Sequence, residues 1–233
     1  MDDKLSPFVK SIWYGEEGYF GIGTGVRLDV SLNGVGIRSG KLPLVRERGD
    51  FDVYRAVAVS LLGKERPEGE VTVFSSGDEG NVFGTVGALY FRDRVLAVDP
   101  AAPSVGVMDR NFEPVGEGWT RLSLVGESGL PVTADVRVRG MPERQFLTLL
   151  STSEPSSIVA STLMPDQAEE EHELDLGDAR LKVTLRAGAL PEYVVPLGGD
   201  LQVVLGADAL CRFLTVFDFR VKTVWMRAYP GAI

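Results

Sequence analysis

One stretch occurs twice in this chain, and it constrains the fold more than any other feature. Residues 85–99 read Thr-Val-Gly-Ala-Leu-Tyr-Phe-Arg-Asp-Arg-Val-Leu-Ala-Val-Asp; residues 204–218 read Val-Leu-Gly-Ala-Asp-Ala-Leu-Cys-Arg-Phe-Leu-Thr-Val-Phe-Asp. Each copy sets an apolar residue and a glycine before a short amphipathic helical turn, then an apolar strand that ends in aspartate. Gly87 pairs with Gly206, Ala88 with Ala207 and Asp99 with Asp218 at a single offset. A repeat of this length points to internal duplication. Two weaker matches extend it. The segment from Val26 to Val30, with Asp29 and the later Gly34, matches Val132 to Val136, with Asp135 and Gly140. Leu62-Gly63 matches Leu176-Gly177. The offsets grow along the chain, so the second half reads as the first with small insertions.

The chain has 233 residues, enough for one large domain or two lobes, and its 44% apolar content can fill a sizeable core. The polar, turn-rich segment 109–118 is the natural boundary, giving lobes 1–113 and 114–233. Lys and Arg number 24 against 33 Asp and Glu, a net charge of −9, which argues against nucleic-acid binding. One cysteine excludes an intrachain disulfide and favours a reducing compartment. No leader-like apolar segment stands at the start and no run is long enough to cross a bilayer, so the expectation is a cytoplasmic protein with no membrane insertion.

Period-two patterns are frequent. Ser11–Tyr14 and Tyr19–Ile22 flank a hairpin loop at Gly15–Gly18, and Val26–Leu32 alternates as a half-buried strand. Asn33-Gly34 is a strong hairpin signal, with Gly34–Ile37 as the return strand. Residues 54–62 fit strand or helix, and Gly63 stops them. Further strands are expected at Val71–Phe74, Val105–Met108, Thr120–Val125, Val132–Val138, Gln145–Leu150, Ser156–Ala160, Leu181–Leu185 and Tyr193–Val195, with an acidic loop at Pro165–Glu173. Many short strands with frequent turns predict an all-β architecture.

The repeated stretch resembles a landmark of the aspartic proteases, the pepsin and retropepsin family. There an apolar-apolar-Gly segment passes under the active-site loop, followed by a short helix and a strand of the form Tyr-Thr-Val-Phe-Asp. Val204-Leu205-Gly206 and Leu214–Phe219 resemble it closely, and Val86-Gly87 with Val95–Asp99 more loosely. The resemblance covers most of both halves. It implies an all-β, two-lobed, pepsin-like fold with short helices only and a cleft between the lobes. It also implies one Asp-Thr/Ser-Gly triplet per lobe, whose two carboxylates share a proton, activate a water and polarise the scissile carbonyl.

No Asp-Thr-Gly or Asp-Ser-Gly occurs in this sequence. In lobe 2 the matching position is Ser151-Thr152-Ser153, after the apolar approach strand Phe146–Leu150. Lobe 1 offers two candidates. Arg38-Ser39-Gly40 is favoured, because it lies almost as far from Gly63 as Ser151 does from Gly177 and keeps the Asp29/Asp135 pairing. Gly23-Thr24-Gly25 copies the triplet more faithfully but breaks that register. On either reading the catalytic carboxylates are missing while the central hydroxyls, Ser39 or Thr24 and Thr152, remain to join the lobes. The resemblance therefore implies a degenerate member, a pseudoenzyme with no catalytic residues and no cofactor or metal, that binds a protein or peptide or serves as a scaffold. Arg38 and Ser151 are the candidate cleft-binding residues.

The rival is an atypical hydrolase built on Ser151 with Asp29 or Asp135; a third reading is a structural subunit with a closed cleft. A serine nucleophile needs a base, and the only histidine, His172, sits among glutamates. The acidic stretch 166–175 is a candidate surface for a basic partner, with a solvated face as the alternative. Gly21-Ile22-Gly23-Thr24-Gly25 is similar to a phosphate-binding loop but leads into a strand, not a helix. Cys211 reads as a small core residue, Asp99 and Asp218 as turn residues, and no Cys/His cluster suits zinc.

Overall fold

A computed structural model of the chain describes residues 7–48, 51–56, 59–66, 68–74, 80–102, 104–126, 129–141, 146–164, 168–190 and 201–231. The expected strand at Tyr193–Val195 lies outside them.

The first half opens with a hairpin, β1 (Phe8–Trp13) and β2 (Glu16–Gly23). Its turn is Tyr14-Gly15, with φ of 51° and 88°, the left-handed pair that suits the twist of a two-residue hairpin. The tight turn therefore precedes the expected Gly15–Gly18 loop, whose last residues already belong to β2. Only Val30–Leu32 of the next predicted strand is β3. Asn33-Gly34 is no hairpin. Asn33 caps helix α1 (Gly34–Gly40): its side-chain carbonyl accepts from Gly36 N at 3.1 Å, and its amide donates to Val82 O at 2.7 Å. Asparagine serves a helix N-cap as well as it serves a turn, and the Val82 carbonyl, which takes its amide, decides between them here. Lys41, at φ 47°, ends the helix.

The half continues through β4 (Leu44–Arg48), β5 (Phe51–Ala56), β6 (Val59–Leu61), β7 (Lys64–Arg66), β8 (Gly69–Phe74) and β9 (Val82–Gly87). Then come a 3₁₀ turn at Ala88–Phe91, β10 (Val95–Asp99) and β11 (Ser104–Met108). The Tyr90 hydroxyl donates to Leu61 O and ties that turn to β6.

The second half comprises β12 (Trp119–Ser123), β13 (Val132–Val138), β14 (Phe146–Leu150), β15 (Ile158–Ala160), β16 (Glu169–Leu176), β17 (Ala179–Gly188) and β18 (Leu201–Leu205). Helix α2 (Ala207–Leu210), β19 (Phe213–Asp218) and β20 (Thr223–Ala228) end it. The predicted acidic loop is therefore largely strand. His172, Leu174 and Leu176 point inward on β16, and the acids between them face out.

Strand order makes the duplication explicit. Lobe 1 runs β1-β2-β9-β3-β8-β5, with β4 added at the edge; lobe 2 runs β13-β14-β18-β15-β17-β16 and closes into a barrel. Corresponding neighbours agree in direction: β2/β9 and β14/β18 are parallel, β9/β3 and β18/β15 antiparallel, β3/β8 and β17/β15 parallel. This order corrects the sequence register. β13 is the counterpart of β1, so Asp135 and Asp29 are not equivalents. The extra chain belongs to lobe 1, as α1 and β4, rather than to insertions in lobe 2.

A five-stranded sheet, β11-β10-β19-β20-β12, takes strands from both halves, with β10 and β19 meeting at its seam. One continuous core runs through the molecule, from Trp13, Phe20 and Phe83 in lobe 1 to Phe146, Phe213 and Phe217 in lobe 2. The Trp13 and Phe20 rings pack edge to face at 5.3 Å.

Candidate functional site

Strands β2 and β14 each carry an apolar run into the core and then reach a threonine. Thr24 and Thr152 are buried, at 0% and 3% exposure, and face one another across the lobes. The Thr24 hydroxyl donates to Leu150 O at 2.8 Å and accepts from Thr152 N at 3.0 Å. The Thr152 hydroxyl donates to Ile22 O at 2.7 Å and accepts from Thr24 N at 3.1 Å. Each side chain thus satisfies backbone groups of the other lobe that would otherwise be buried without partners.

This crossed pair sets the register. Gly23 and Ser151 precede the two threonines; Gly25 and Ser153 follow them. The favoured lobe 1 candidate, Arg38-Ser39-Gly40, lies instead in the last turn of α1. Arg38 is exposed there and Ser39 donates to Glu16 at 2.6 Å. Counting back from Gly63 led to α1 because α1 and β4 lengthen lobe 1 between the triplet and that glycine.

The repeated glycines form the floor. Ala88 N donates to Val26 O at 2.9 Å, and Ala207 N donates to Glu154 O at 2.7 Å, the same bond in each lobe. A Cβ on Gly87 would stand 2.3 Å from Leu28 O, and one on Gly206 would stand 2.6 Å from the Ser156 carbonyl. Only glycine lets the strand pass this close beneath the loop. In lobe 2 a further clamp went unread in the sequence. The Ser157 hydroxyl and amide donate to Asp208 at 2.7 and 3.1 Å, and Gly206 N donates to the Ser157 hydroxyl at 3.1 Å. An acid in the first turn of the repeated helix, with a serine on the opposing loop, was the available signal.

The chemistry at the junction is that of hydroxyls. Ser151 is fully buried, its Oγ 3.0 Å from Ser153 Oγ and accepting from Glu154 N at 3.3 Å. Its side chain fills the space over Gly25, where a Cβ would come within 2.2 Å of Ser151 Oγ. A Cβ on Gly23 would meet Thr85, Val26 and Ser153 side-chain atoms at 3.0 to 3.4 Å. The other proposed partners of Ser151 are elsewhere. Asp135 accepts from Ser123 N at 2.6 Å across the β12–β13 junction, Asp29 is exposed beyond the Thr24 turn, and His172 sits on β16 beside Glu170 at 3.6 Å.

Two cavities adjoin the junction. A space of about 20 Å³, the size of one water, lies among Thr152, Thr215, Val98 and Cys211, and buried Thr215 Oγ1 has no hydrogen-bond partner. Burial pushes the Cys211 thiol up, so it rests protonated. A larger open pocket of about 390 Å³ lies beside the loop after Ser153, lined by Glu154, Pro155, Ile158, Arg186 and Ala189 among others.

The acidic run does not present bare charge. Glu169 faces Arg186 at 3.9 Å, Glu171 faces Lys182 at 3.7 Å, and Asp175 faces Arg139 at 3.1 Å and Arg180 at 3.6 Å. Asp218, 1% exposed, pairs with Arg220, and Asp99 accepts from Ala102 N at 3.2 Å and from the Tyr229 hydroxyl. Gly21–Gly25 leads into an irregular segment and β3 rather than into a helix. Among the described residues, no three His, Cys, Asp or Glu side chains are grouped to hold a metal ion, and no helix is long and apolar enough to cross a membrane.

The crystal structure of an aspartic proteinase from Irpex lacteus superposes on 97% of this chain and 95% of its own, with a TM-score of 0.59 and 12% sequence identity. The fold is pepsin-like. No protein-family model matches the sequence, and no curated protein matches it. Within the pepsin-like frame the crossed threonines join the two approach strands. The residues that directly precede them, Gly23 and Ser151, carry no carboxylate.

Proposed function

We propose that the chain is a catalytically inactive pepsin-like protein, a pseudoprotease, that binds a protein or peptide segment in the cleft between its lobes and works in the cytoplasm. The observation that carries this reading is the pair before the crossed threonines, Gly23 and Ser151. Water activation by this fold needs two carboxylates close enough to share a proton. Glycine offers no side chain, and a serine hydroxyl is no base near neutral pH. Ser151 as a nucleophile would need a base in hydrogen-bond reach, and its partners are a second serine and a backbone amide. The crossed threonines and both floor glycines support the same reading, because they hold the two loops in place with no carboxylate among them. The pocket of about 390 Å³ beside the Ser153 loop, lined by lobe 2 alone, lies within the size range of small-ligand sites and is the place on that lobe where a bound segment could seat a side chain.

The test uses the whole chain and a proteome-derived peptide pool, with new termini read by mass spectrometry from acid to neutral pH. No new termini are expected. Cleavage that disappears in Ser151→Ala overturns the pseudoprotease reading. The same pool passed over immobilised protein should leave a retained subset, and Ala189→Trp, which fills the pocket, should release it. A column that retains nothing sinks the binding reading and favours a purely structural subunit.

A further inference from the structure

The five-stranded sheet shared by the lobes has two unlike faces. Leu122 on β12, Val224 and Met226 on β20, and Phe213 and Phe217 on β19 are buried on one of them. Thr215 and Val98 belong to this side and line the small cavity with Thr152, so it looks toward the crossed threonines. Strand alternation sends the neighbouring residues the other way. On that outward face Trp119 lies opposite Arg227, and Arg121 opposite Trp225. The Arg227 guanidinium carbon stands 4.9 Å from the Trp119 ring centre, and that of Arg121 stands 5.7 Å from the Trp225 ring centre. Two guanidiniums and two indoles therefore alternate in a square. Phe112 extends the aromatic part at 5.1 Å from Trp119.

We propose that this outward face docks an acidic peptide segment of a partner protein, one that carries glutamates or aspartates among apolar side chains. Both arginines are exposed, and among the described residues neither takes part in an ion pair. Six other arginines of this acidic chain, including Arg46, Arg94 and Arg139, do pair with carboxylates. Guanidiniums held over indole rings without a carboxylate partner leave N–H groups that can meet a carboxylate in two-point fashion. Half-buried tryptophans beside them supply the apolar contact area that concentrates binding energy at protein interfaces. The two unopposed guanidiniums form a small local positive patch on a chain of net charge −9, so what they fit is a short acidic segment rather than a long polyanion or a second whole copy of this acidic chain. The surface faces away from the threonine junction.

The test is a titration of the full chain with a fluorescein-labelled peptide that alternates glutamate with leucine and phenylalanine. Anisotropy and tryptophan emission are both read, because Trp13 is buried and Trp119 and Trp225 carry the surface signal. Saturable binding is expected, weakened about ten-fold by Arg121→Glu/Arg227→Glu and unchanged by the charge-matched Arg55→Glu/Arg92→Glu. Raising salt from roughly 50 to roughly 300 mM should weaken it as well. Arg121→Gln/Arg227→Gln, checked for an unchanged melt, guards against loss of fold. Absence of saturable binding overturns the proposal. So does binding that both double variants weaken equally, or capture of oligodeoxythymidine in place of the peptide.

Discussion

A threonine hydroxyl can donate one hydrogen bond and accept two, and Thr24 and Thr152 use that capacity across the lobe junction. Thr152→Val keeps the shape but strands Thr24 N and Ile22 O in the core. A loss of about 1–3 kcal/mol is expected, read by denaturant unfolding. Thr24→Val should cost about the same. The double variant should lose less than the two added together, because the residues share one network; full additivity would show that they act separately. The glycines beneath are equally constrained. Gly206→Ala drives a methyl against the Ser156 carbonyl and should destabilise by about 1–3 kcal/mol, whereas Gly69→Ala, with open space around it, should be nearly silent. Tyr229 provides a pH handle. Burial, then the bond to Asp99, pushes its phenol up to about 12 from an ordinary 10. The folded chain keeps this proton where the unfolded chain releases it. The contribution is therefore complete below pH 10 and declines as pH rises toward about 12. Tyr229→Phe should flatten that part of the stability profile.

At the scale of elements, α1 is the piece that sequence patterning misreads, and its cap is a direct check. Asn33→Ala removes the Gly36 bond and the amide bond to Val82, for an expected loss of about 1–2 kcal/mol in a thermal melt. The same helix explains what could be seen beforehand. The repeated Gly-helix-strand unit and the strands β13 and β14 were legible, because each carries an apolar-rich run with a sharp polar or turn boundary. The lobe 1 triplet was not. Two added elements, α1 and β4, separate Thr24 from Gly63, so a count based on lobe 2 spacing arrives inside α1. The dipeptide Asn33-Gly34 is ambiguous in the same place, since turn and cap draw on the same residues and only the tertiary contact of Asn33 with the Val82 carbonyl separates them. β16 failed for another reason. Its inward residues His172, Leu174 and Leu176 do alternate, but the run of acids hides the period. What makes the strand tolerable is supplied from elsewhere, by Arg180, Lys182 and Arg186 on β17 and by Arg139 after β13.

For the whole molecule the decisive feature is that the lobes share a sheet. β10 pairs with β19 over Val95–Val98, so neither half contains all the hydrogen-bond partners of its own strands. The intact chain should melt in one calorimetric transition, and residues 1–113 expressed alone should show no cooperative transition. A fragment that melts sharply near the temperature of the whole would overturn this. The connecting segment is itself tied down, with Asp109 on Arg94, Phe112 N facing Asp218 at 3.5 Å, and Arg220 donating to Asp109 O at 2.5 Å.

The seam also imposes an order on the making of the protein. Chains fold from the N-terminus as they are synthesised, yet the strand that covers β10 is translated only after all the strands of the second lobe's barrel. Until β19 leaves the ribosome, the first lobe must wait with one side of β10 unpaired. A stop codon between Asp99 and Phe213 would release such a lobe with a bare strand edge, ready to associate with others of its kind. For this architecture truncation therefore yields an aggregating species rather than a shorter working one.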